Sequence, residues 1–465
     1  MTKSSVLLFA AIVATACGPK KTEAPQEEMP KPVETRHPEW VKTASIYEVN
    51  IRQYSPEGTL AAFEAHLPRL KELGVDILWF MPIQPIGVKN RKVLDGQELG
   101  SYYSISDYTA IHPDYGSEED FRRIVKKAHE LGLKVILDWV ANHTAFDHHW
   151  TTEHPDFYTY DEKGNINVAK DNDGKLTDWT DVADLNYDNR ELHQAMFEEM
   201  AWWVKEFDID GFRCDVAGFV PNVFWNELRP KLEAIKPMFM LAEWEDTAHM
   251  KAFNMNYGWS FHHIINQVAQ GKQDVGHLMT YLTEGAKNYS KDDIRMYFTT
   301  NHDENSWNGT VFERMADQHW NMFVLCATLP GMPLVYSGQE VGLDHRLSFF
   351  GKDQIDWSKG SEFTAFYKSV LAFRKAHNPL HNAAWGGDLK VLESGNPKVF
   401  IFERSLGAES VLMAFNFGSE AATLSMPEGF KTADYQTETF GRKIDLIESE
   451  NGLELGGAQC VAFFK

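Results

Sequence analysis

The amino-acid sequence predicts an α/β protein built on a (β/α)8 TIM barrel, with a subdomain inserted after strand 3 and an antiparallel β-sandwich at the C-terminal end. Between about residues 45 and 340, eight short β-branched and aromatic runs alternate with amphipathic helical segments. About 70 residues, more than one helix needs, separate the third run from the fourth. Beyond about residue 383 the pattern changes to short alternating strands such as "KVFIFERS" and "SVLMAFNF".

The first 17 residues are predicted to be a lipoprotein signal peptide. Lys3 gives a positive start, an apolar stretch too short for a permanent membrane span follows, and small residues lead to Cys17. This arrangement resembles a bacterial lipoprotein signal, which implies cleavage before Cys17 and a lipid on its sulfur. A plain secretory signal with an incidental cysteine is the alternative. Residues 18–39, rich in Pro, Glu and Lys, are predicted to be a tether.

The barrel is predicted to occupy residues 40–382. Its candidate strands, of which the sixth is the weakest, are 45–51, 76–83, 134–140, 211–217, 238–244, 259–265, 295–301 and 333–339. Residues 118–133 and 191–207 place apolar side chains at three- and four-residue steps, as amphipathic helices do. Residues 144–190, dense in Asp, Asn and Gly, are predicted to form the inserted subdomain, and residues 383–465 the sandwich.

The overall composition limits the partners that this protein can have. A formal net charge of −22 repels phosphate backbones, so nucleic acid is not expected to bind, whereas a neutral substrate suits such a surface. Cys214, Cys326 and Cys460 are widely spaced in apolar settings and suggest neither a disulfide framework nor a metal site. They are predicted to be buried small hydrophobic residues.

Polar side chains stand where four of the predicted strands end. One such residue could be a helix cap or a hydrogen-bonded core residue, but four neighbouring strand ends meet at one mouth of a barrel. The site predicted there has three acids, one arginine and two histidines, supported by one further aspartate and asparagine. In chain order they are Asp138, Asn142, His143, Arg213, Asp215, Glu243, His302 and Asp303.

Two of these acids have the properties that glycosidic chemistry needs without a metal. One carboxylate attacks the anomeric carbon while a second, protonated carboxyl group gives its proton to the leaving oxygen. Arg213 and Asp215 point to the same face of their strand because strands repeat every two residues. The arginine is expected to lower the pKa of Asp215. Glu243 lies among apolar neighbours, which favour the protonated acid, and Asp303 is left to orient sugar hydroxyls.

Seven segments, in order, closely resemble those of the α-amylase family, glycoside hydrolase family 13. They are "DILWFMPI", "ILDWVANHT", "VADLN", "GFRCDVA", "LAEWE", "FTTNHDENS" and "GMPLVYSGQE". The resemblance implies a retaining glycoside hydrolase that cleaves α-glucosidic bonds, mainly α-1,4, in starch, glycogen or maltooligosaccharides. An exo-acting α-glucosidase or an α-glucan transglycosylase is the alternative within the family. A non-catalytic glycan-binding lipoprotein is the alternative outside enzymes, and the retention of all three acids disfavours it.

The resemblance also implies a role for each site residue. Asp215 would be the nucleophile, Glu243 the general acid/base and Asp303 the stabiliser of the transition state. Arg213, His143 and His302 would hydrogen-bond the sugar in the cleavage subsite, on which Tyr103 would stack, and Asp138 would support the arginine. Tyr102 is the competing candidate for stacking, and Trp307 is either a further stacking residue or a loop-packing residue.

No cofactor is expected to be required, and a bound calcium ion is the alternative. Many members of the family bind calcium between the barrel and the inserted subdomain, and Asn142 and Asp184 match two of those ligands. Phe219 stands where calcium-binding members often carry a histidine. The "DNDGKLTD" run, residues 171–178, offers either oxygen ligands or Asx turns. Together with the signal peptide, these expectations describe a lipid-anchored protein of the bacterial cell envelope that acts on α-glucan.

Overall fold

The protein is described here from a computed structural model that covers residues 35–94, 96–449 and 452–465. The predicted signal peptide, residues 1–17, and most of the predicted tether, residues 18–34, lie outside the described residues. The last residues predicted as tether, 35–39, contact the barrel. The Thr35 hydroxyl donates a hydrogen bond to Asp292 at 2.6 Å, and the His37 side chain is buried. The described part of the chain has no helix that is both long and apolar enough to span a membrane.

Eight parallel strands close into a barrel, so the predicted (β/α)8 fold is confirmed. The first ten strands of the chain are β1 (Ile46–Val49), β2 (Ile77–Phe80), β3 (Lys134–Trp139), β4 (His143–Ala145), β5 (Val182–Asp184), β6 (Gly211–Cys214), β7 (Phe239–Ala242), β8 (Met255–Tyr257), β9 (Ile294–Tyr297) and β10 (Met332–Tyr336). Around the barrel the order is β1, β2, β3, β6, β7, β8, β9 and β10, which pairs again with β1. The barrel strands are buried throughout, except for Lys134 at the start of β3, as parallel strands covered on both faces must be.

Helices surround the barrel. They are α1 (Ile51–Tyr54), α2 (Leu60–Glu64), α3 (Leu67–Leu73), α4 (Glu118–Glu130), α5 (Trp150–Glu153), α6 (Arg190–Phe207), α7 (Asn222–Glu233), α8 (Trp259–Ala269), α9 (Val275–Thr283), α10 (Val311–Met315), α11 (His319–Thr328) and α12 (Ser361–Ala376). The two helices predicted from periodicity are α4 and α6. A capping box between Ser117 and Asp120 begins α4, and the Asn189 side chain caps α6.

The prediction for the sixth barrel strand is wrong. Residues 259–265 belong to α8, and the sixth strand is the three-residue β8 just before them. Phe261, His262 and Ile265 are buried along one side of α8, a three- and four-residue spacing typical of a helix. The strand was missed because a run of only three residues, Met255–Tyr257, carries almost no periodic signal.

The long segment between β3 and β6 is built on one small antiparallel pair. Strands β4 and β5 pair so that His143 stands opposite Asp184 and Ala145 opposite Val182. Between the two strands the chain makes tight turns in which Asp161 and Asp171 accept hydrogen bonds from backbone N–H groups further along. The β4–β5 pair therefore joins the segment between β3 and β6 to the barrel mouth, where His143 lies.

The C-terminal strands form two antiparallel sheets packed against each other. They are β11 (Asp388–Leu392), β12 (Val399–Leu406), β13 (Glu409–Asn416), β14 (Ala422–Leu424), β15 (Gln436–Glu438), β16 (Leu446–Ser449), β17 (Gly452–Leu455) and β18 (Gln459–Phe464). One sheet has the order β11-β12-β13-β18-β15 and the other β14-β17-β16. Apolar side chains from both sheets, among them Ile401, Leu412 and Leu455, share one buried cluster, as in a β-sandwich.

Candidate active site

The carboxyl ends of the barrel strands surround a pocket of about 510 Å3. The structure brings most of the predicted site residues into this pocket, whose walls include Tyr103, His143, Asp215, Glu243, His302 and Asp303. Two of them lie directly at strand ends, as the sequence predicts: Asp215 follows β6 and Glu243 follows β7. Asp138 and Arg213 lie on β3 and β6 themselves and are buried below the pocket.

Arg213 is the centre of the site. Its Nη1 donates to Asp138 Oδ1 at 2.8 Å and to Asp215 Oδ1 at 2.7 Å. Its Nη2 forms an ion pair with Glu243 Oε1 at 2.8 Å without hydrogen-bond alignment. The guanidinium is fully buried and lies over the ring of Trp79 at 5.0 Å. Three carboxyl groups therefore share one buried cation, which fixes their positions relative to one another.

The three carboxyl groups around Arg213 have raised pKa values. Burial raises the pKa of Asp215 to about 6, against the opposing effect of Arg213. Burial raises the pKa of Glu243 to about 7 and that of Asp138 to about 6, again opposed by the arginine. Arg213 does lower the pKa of Asp215, as the sequence predicts, but burial and the neighbouring Asp138 raise it by more, so the net shift is upward.

The backbone directly after β6 holds the Glu243 carboxyl group in place beside Asp215. Val216 has φ 33° and ψ 49°, a left-handed conformation that a β-branched residue rarely adopts. Its N–H donates to Glu243 Oε2 at 2.8 Å. Such strain costs about 1–3 kcal/mol and persists at functional sites where the surroundings enforce it. Here it turns the chain sharply after Asp215 and fixes the Glu243 carboxyl group.

His302 is held between two acids. Its Nδ1 lies 2.5 Å from Glu48 Oε1, and its Nε2 lies 3.3 Å from Asp303 Oδ2. Burial opposes protonation, but Asp303 and Glu48 outweigh it and raise the pKa of His302 to about 9. His302 is thus a cation at neutral pH, aimed into the pocket beside Asp303. Glu48 is a functional residue that sequence reasoning missed, although a lone acid inside "SIYEVNI" is the same signal that identified Arg213 and Asp215.

The structure distinguishes the two tyrosine candidates. The Tyr103 hydroxyl contacts His302 Nε2 at 2.8 Å and donates to Asp138 Oδ2 at 3.2 Å, and its ring stacks on the His302 ring. Tyr102 points away from the pocket: it donates to Asn50 and lies beneath the Arg52 guanidinium. Of the two tyrosines, Tyr103 is therefore the one in the wall of the pocket.

His143 reaches the pocket from β4, next to Asn142. The Trp179 ring meets the His143 ring edge-on, with centroids 5.6 Å apart. Burial lowers the pKa of His143 to about 4, so this histidine is neutral at pH 7, in contrast to His302. A neutral imidazole can both donate and accept a hydrogen bond, which suits it to a sugar hydroxyl.

Aromatic side chains form one wall of the pocket, which we call the aromatic wall and define as Tyr103, Phe349, Trp307 and Phe350. Phe349 stacks on Tyr103 with ring centroids 6.2 Å apart, and Trp307 lies 5.1 Å from Phe349 and 6.0 Å from Phe350. The Trp307 side chain is 45% exposed, although Tyr103 and Phe350 in the same wall are buried. Core packing explains buried aromatic rings, whereas an exposed tryptophan at the mouth of a pocket is available to contact a ligand.

The residues considered as calcium ligands do not fit a metal ion. Asp184 already accepts hydrogen bonds from the Thr159 hydroxyl and the Lys170 N–H, and the Lys170 ammonium lies 3.4 Å from it. In the 171–178 run, Asp171 closes an Asx turn and Asp173 pairs with Lys175. Within the described residues no group of three or more His, Cys, Asp or Glu side chains could hold a metal. Calcium usually takes six to eight oxygen ligands, whereas both oxygens of the Asp184 carboxylate are already engaged by Thr159 and Lys170.

Three carboxyl groups gathered around one buried arginine, at the strand ends of a (β/α)8 barrel, define the class of the barrel glycoside hydrolases. Within that class the chain belongs to the alpha-amylase family: the family's catalytic-domain model matches residues 34–377. The described cysteines, Cys214, Cys326 and Cys460, are free and buried, and none belongs to the pocket wall.

Individual relatives agree with this family. The chain is 27% identical over 414 residues to alpha-amylase MalA of Haloarcula japonica, covering 85% of this chain but only 58% of that relative's length. Two solved structures are similar over nearly their whole length. An alpha-amylase from Lactobacillus plantarum has TM-score 0.77 and 28% identity, covering 92% of this chain and 99% of that one. The maltogenic alpha-amylase AmyB from Thermotoga neapolitana has TM-score 0.79 and 28% identity, covering 91% and 99%.

Proposed function

We propose that this protein is a retaining glycoside hydrolase that cleaves α-glucosidic bonds, mainly α-1,4, in starch, glycogen or maltooligosaccharides. The observation that carries the proposal is the pair of carboxyl groups, Asp215 and Glu243, held by the two terminal nitrogens of one buried arginine. The pocket in front of them holds about 510 Å3, within the range of small-molecule sites. The named amylases among the relatives support the choice of α-glucan.

The first chemical step uses both carboxyl groups. Asp215 attacks the anomeric carbon and forms the glycosyl–enzyme bond, while the bond to the leaving oxygen breaks and Glu243 gives its proton to that oxygen. In the second step Glu243 takes a proton from water, whose oxygen attacks the anomeric carbon and releases Asp215. Both steps invert the anomeric carbon, so the α-configuration is retained overall.

The other site residues act on the sugar that reacts. Asp303, with the protonated His302 beside it, orients sugar hydroxyls where positive charge develops on the ring. Tyr103 supplies a flat surface beneath that sugar. Arg213, supported by Asp138, keeps the two carboxyl groups in place. No step requires a metal.

A reducing-sugar assay on starch, maltotriose, isomaltose and pullulan tests this function. We expect products from starch and maltotriose and far less from isomaltose, whose bond is α-1,6. Release of glucose alone from every substrate would identify an exo-acting α-glucosidase, and products longer than the substrate a transglycosylase. A protein that binds these glycans but yields no product from any of them would contradict the proposal.

Trp307→Ala is expected to weaken the use of long substrates more than of short ones. If a sugar beyond the reacting unit stacks on the aromatic wall, losing that contact lowers kcat/KM for maltoheptaose by about 2- to 10-fold. The value for maltotriose should change less, and Trp307→Phe should keep most of the wild-type activity. Ile447→Ala is the control, because Ile447 is an exposed apolar residue of the sandwich. Equal losses on both substrates would mean that Trp307 only packs its loop.

We also propose that the chain is lipid-anchored in the bacterial cell envelope through Cys17. The support is the sequence pattern alone: a positive start, a short apolar run and small residues before the cysteine. Cys17→Ser is expected to release the protein into the soluble fraction or to leave an uncleaved precursor, as fractionation and mass spectrometry would show. A processed Cys17→Ser protein that still sediments with membranes would contradict the anchor.

A further inference from the structure

A cleft of about 400 Å3 lies beside the β4–β5 hairpin, and its walls share no residue with those of the catalytic pocket. Its walls include Asn142, Asp184 and Phe219, three of the positions that bear on calcium binding in the sequence. The same cleft contains Lys170, which no sequence motif had singled out. The Lys170 ammonium therefore lies in the same cleft as the residues that match calcium ligands.

Lys170 and Thr159 contact each other, and both contact the carboxylate of Asp184. Its ammonium donates to Thr159 Oγ1 at 2.9 Å and lies 3.4 Å from Asp184 Oδ2. The Thr159 hydroxyl in turn donates to Asp184 Oδ2 at 2.5 Å, and the Lys170 N–H donates to Asp184 Oδ1 at 3.0 Å. The Asp184 side chain is only 7% exposed, and that of Lys170 27%. A carboxylate covered to this degree needs a cation nearby, and Lys170 provides it.

This ion pair is connected to the active site through the β4–β5 pair. Asp184 is the partner of His143 across the β4–β5 pair, so the two side chains belong to facing residues of one short hairpin. The hairpin also depends on the segment that carries Lys170, because the Asp184 N–H donates to Asn167 O at 3.0 Å. Whatever neutralises Asp184 therefore also holds the strand that presents His143 to the sugar.

We propose that the Lys170 ammonium is a built-in cation that takes the place of a metal ion in this cleft, so that the hairpin carrying His143 is held without calcium. A divalent ion would meet an ammonium at its expected position and an aspartate whose oxygens are already engaged. The lysine gives one positive charge and three donors, enough for one carboxylate and one hydroxyl. The device belongs to the chain, and chelators cannot remove it.

Chelation of the wild-type protein is the first arm of the test. We expect that EDTA followed by dialysis changes neither the melting temperature nor the activity, and that millimolar CaCl2 added back has no effect on either. A fall in melting temperature on chelation, restored by calcium, would overturn the proposal. Because thermal unfolding is measured without substrate, this arm remains decisive even if the proposed glycosidase activity fails.

Two substitutions of Lys170 form the second arm. Lys170→Met keeps most of the volume but removes the charge, and Lys170→Ala also opens the space. We expect both to lower the melting temperature, by on the order of 2–4 °C. Calcium at millimolar concentration should raise that of Lys170→Ala, while calorimetric titration with CaCl2 shows binding to this variant and none to wild type. Lys170→Arg should retain most of the stability because it keeps the charge.

Lys175→Met is the matched control. Lys175 lies in the same loop and also pairs with an aspartate, but both side chains are largely exposed, at 74% and 63%. The Lys175→Met variant should have the melting temperature of wild type, and added calcium should not change it. Unchanged melting of both Lys170→Met and Lys170→Ala would overturn the proposal, and so would the absence of any calcium response in Lys170→Ala.

Discussion

Replacing Asp215 with asparagine is expected to lower kcat on starch or maltotriose by roughly 10³-fold or more, the scale of removing a catalytic nucleophile. An amide fills the same space but cannot attack the anomeric carbon. Steady-state rates, measured at enzyme concentrations high enough to detect a thousandth of the wild-type activity, would give the number.

The loss in Asp215→Asn should not come from unfolding. Arg213 keeps two of its three carboxyl partners, Asp138 and Glu243, and the substitution removes a buried charge rather than adding one. We therefore expect a melting temperature close to wild type and intact substrate binding by calorimetry. Asp114→Asn, on a side chain that is 74% exposed, is the control for the chemical change itself.

The same assignment fixes the stereochemistry of the wild-type reaction. Proton NMR, recorded before mutarotation, should show the α-anomer of the new reducing end first. A retaining enzyme holds its two carboxyl groups about 5–5.5 Å apart, and an inverting one roughly 6.5–9.5 Å. Release of the β-anomer, or near-normal turnover by Asp215→Asn, would contradict the role of Asp215.

The barrel and most of its site could be predicted from sequence because both depend on local order. Strands followed by helices set the closed topology, and a polar residue at the end of a strand must lie at the barrel mouth. That rule placed Asp215, Glu243 and Asp303 without any knowledge of contacts. It failed for Met255–Tyr257, because three residues are too few to show a period.

Properties that depend on distant partners could not be predicted. Burial raises the pKa of Asp215 and the nearby Asp138 adds to that rise, against the effect of Arg213, and one strand viewed alone cannot reveal this balance. Lys170 reaches Asp184 because the chain folds back so that Val168 pairs with Ala183, and 14 residues of separation give no periodic signal. Glu48 is visible in the sequence as an acid inside an apolar strand, but its contact with His302 could not be predicted, because His302 is more than 250 positions away.

Glu243→Gln is expected to affect substrates according to their leaving groups. On maltotriose, whose leaving sugar must be protonated, kcat should fall by about 10²- to 10⁴-fold, the usual contribution of general acid–base catalysis. On an aryl α-glycoside with an acidic phenol, the first step needs no proton and should keep most of its rate. The glycosyl–enzyme would then accumulate, since the second step lacks its base, and mass spectrometry should find the sugar on Asp215.

The pH profile gives a second, independent readout of Glu243. Burial raises the pKa of Glu243 to about 7, so the group is protonated below that pH and loses its proton above it. Wild-type kcat/KM on maltotriose should therefore fall as pH rises through about 7, while the variant, which has no proton to lose, should lack that limb. Lys175→Met should keep the wild-type profile. If Glu243→Gln lost activity equally on maltotriose and the aryl glycoside and kept the alkaline limb, the proton donor would have to be another group.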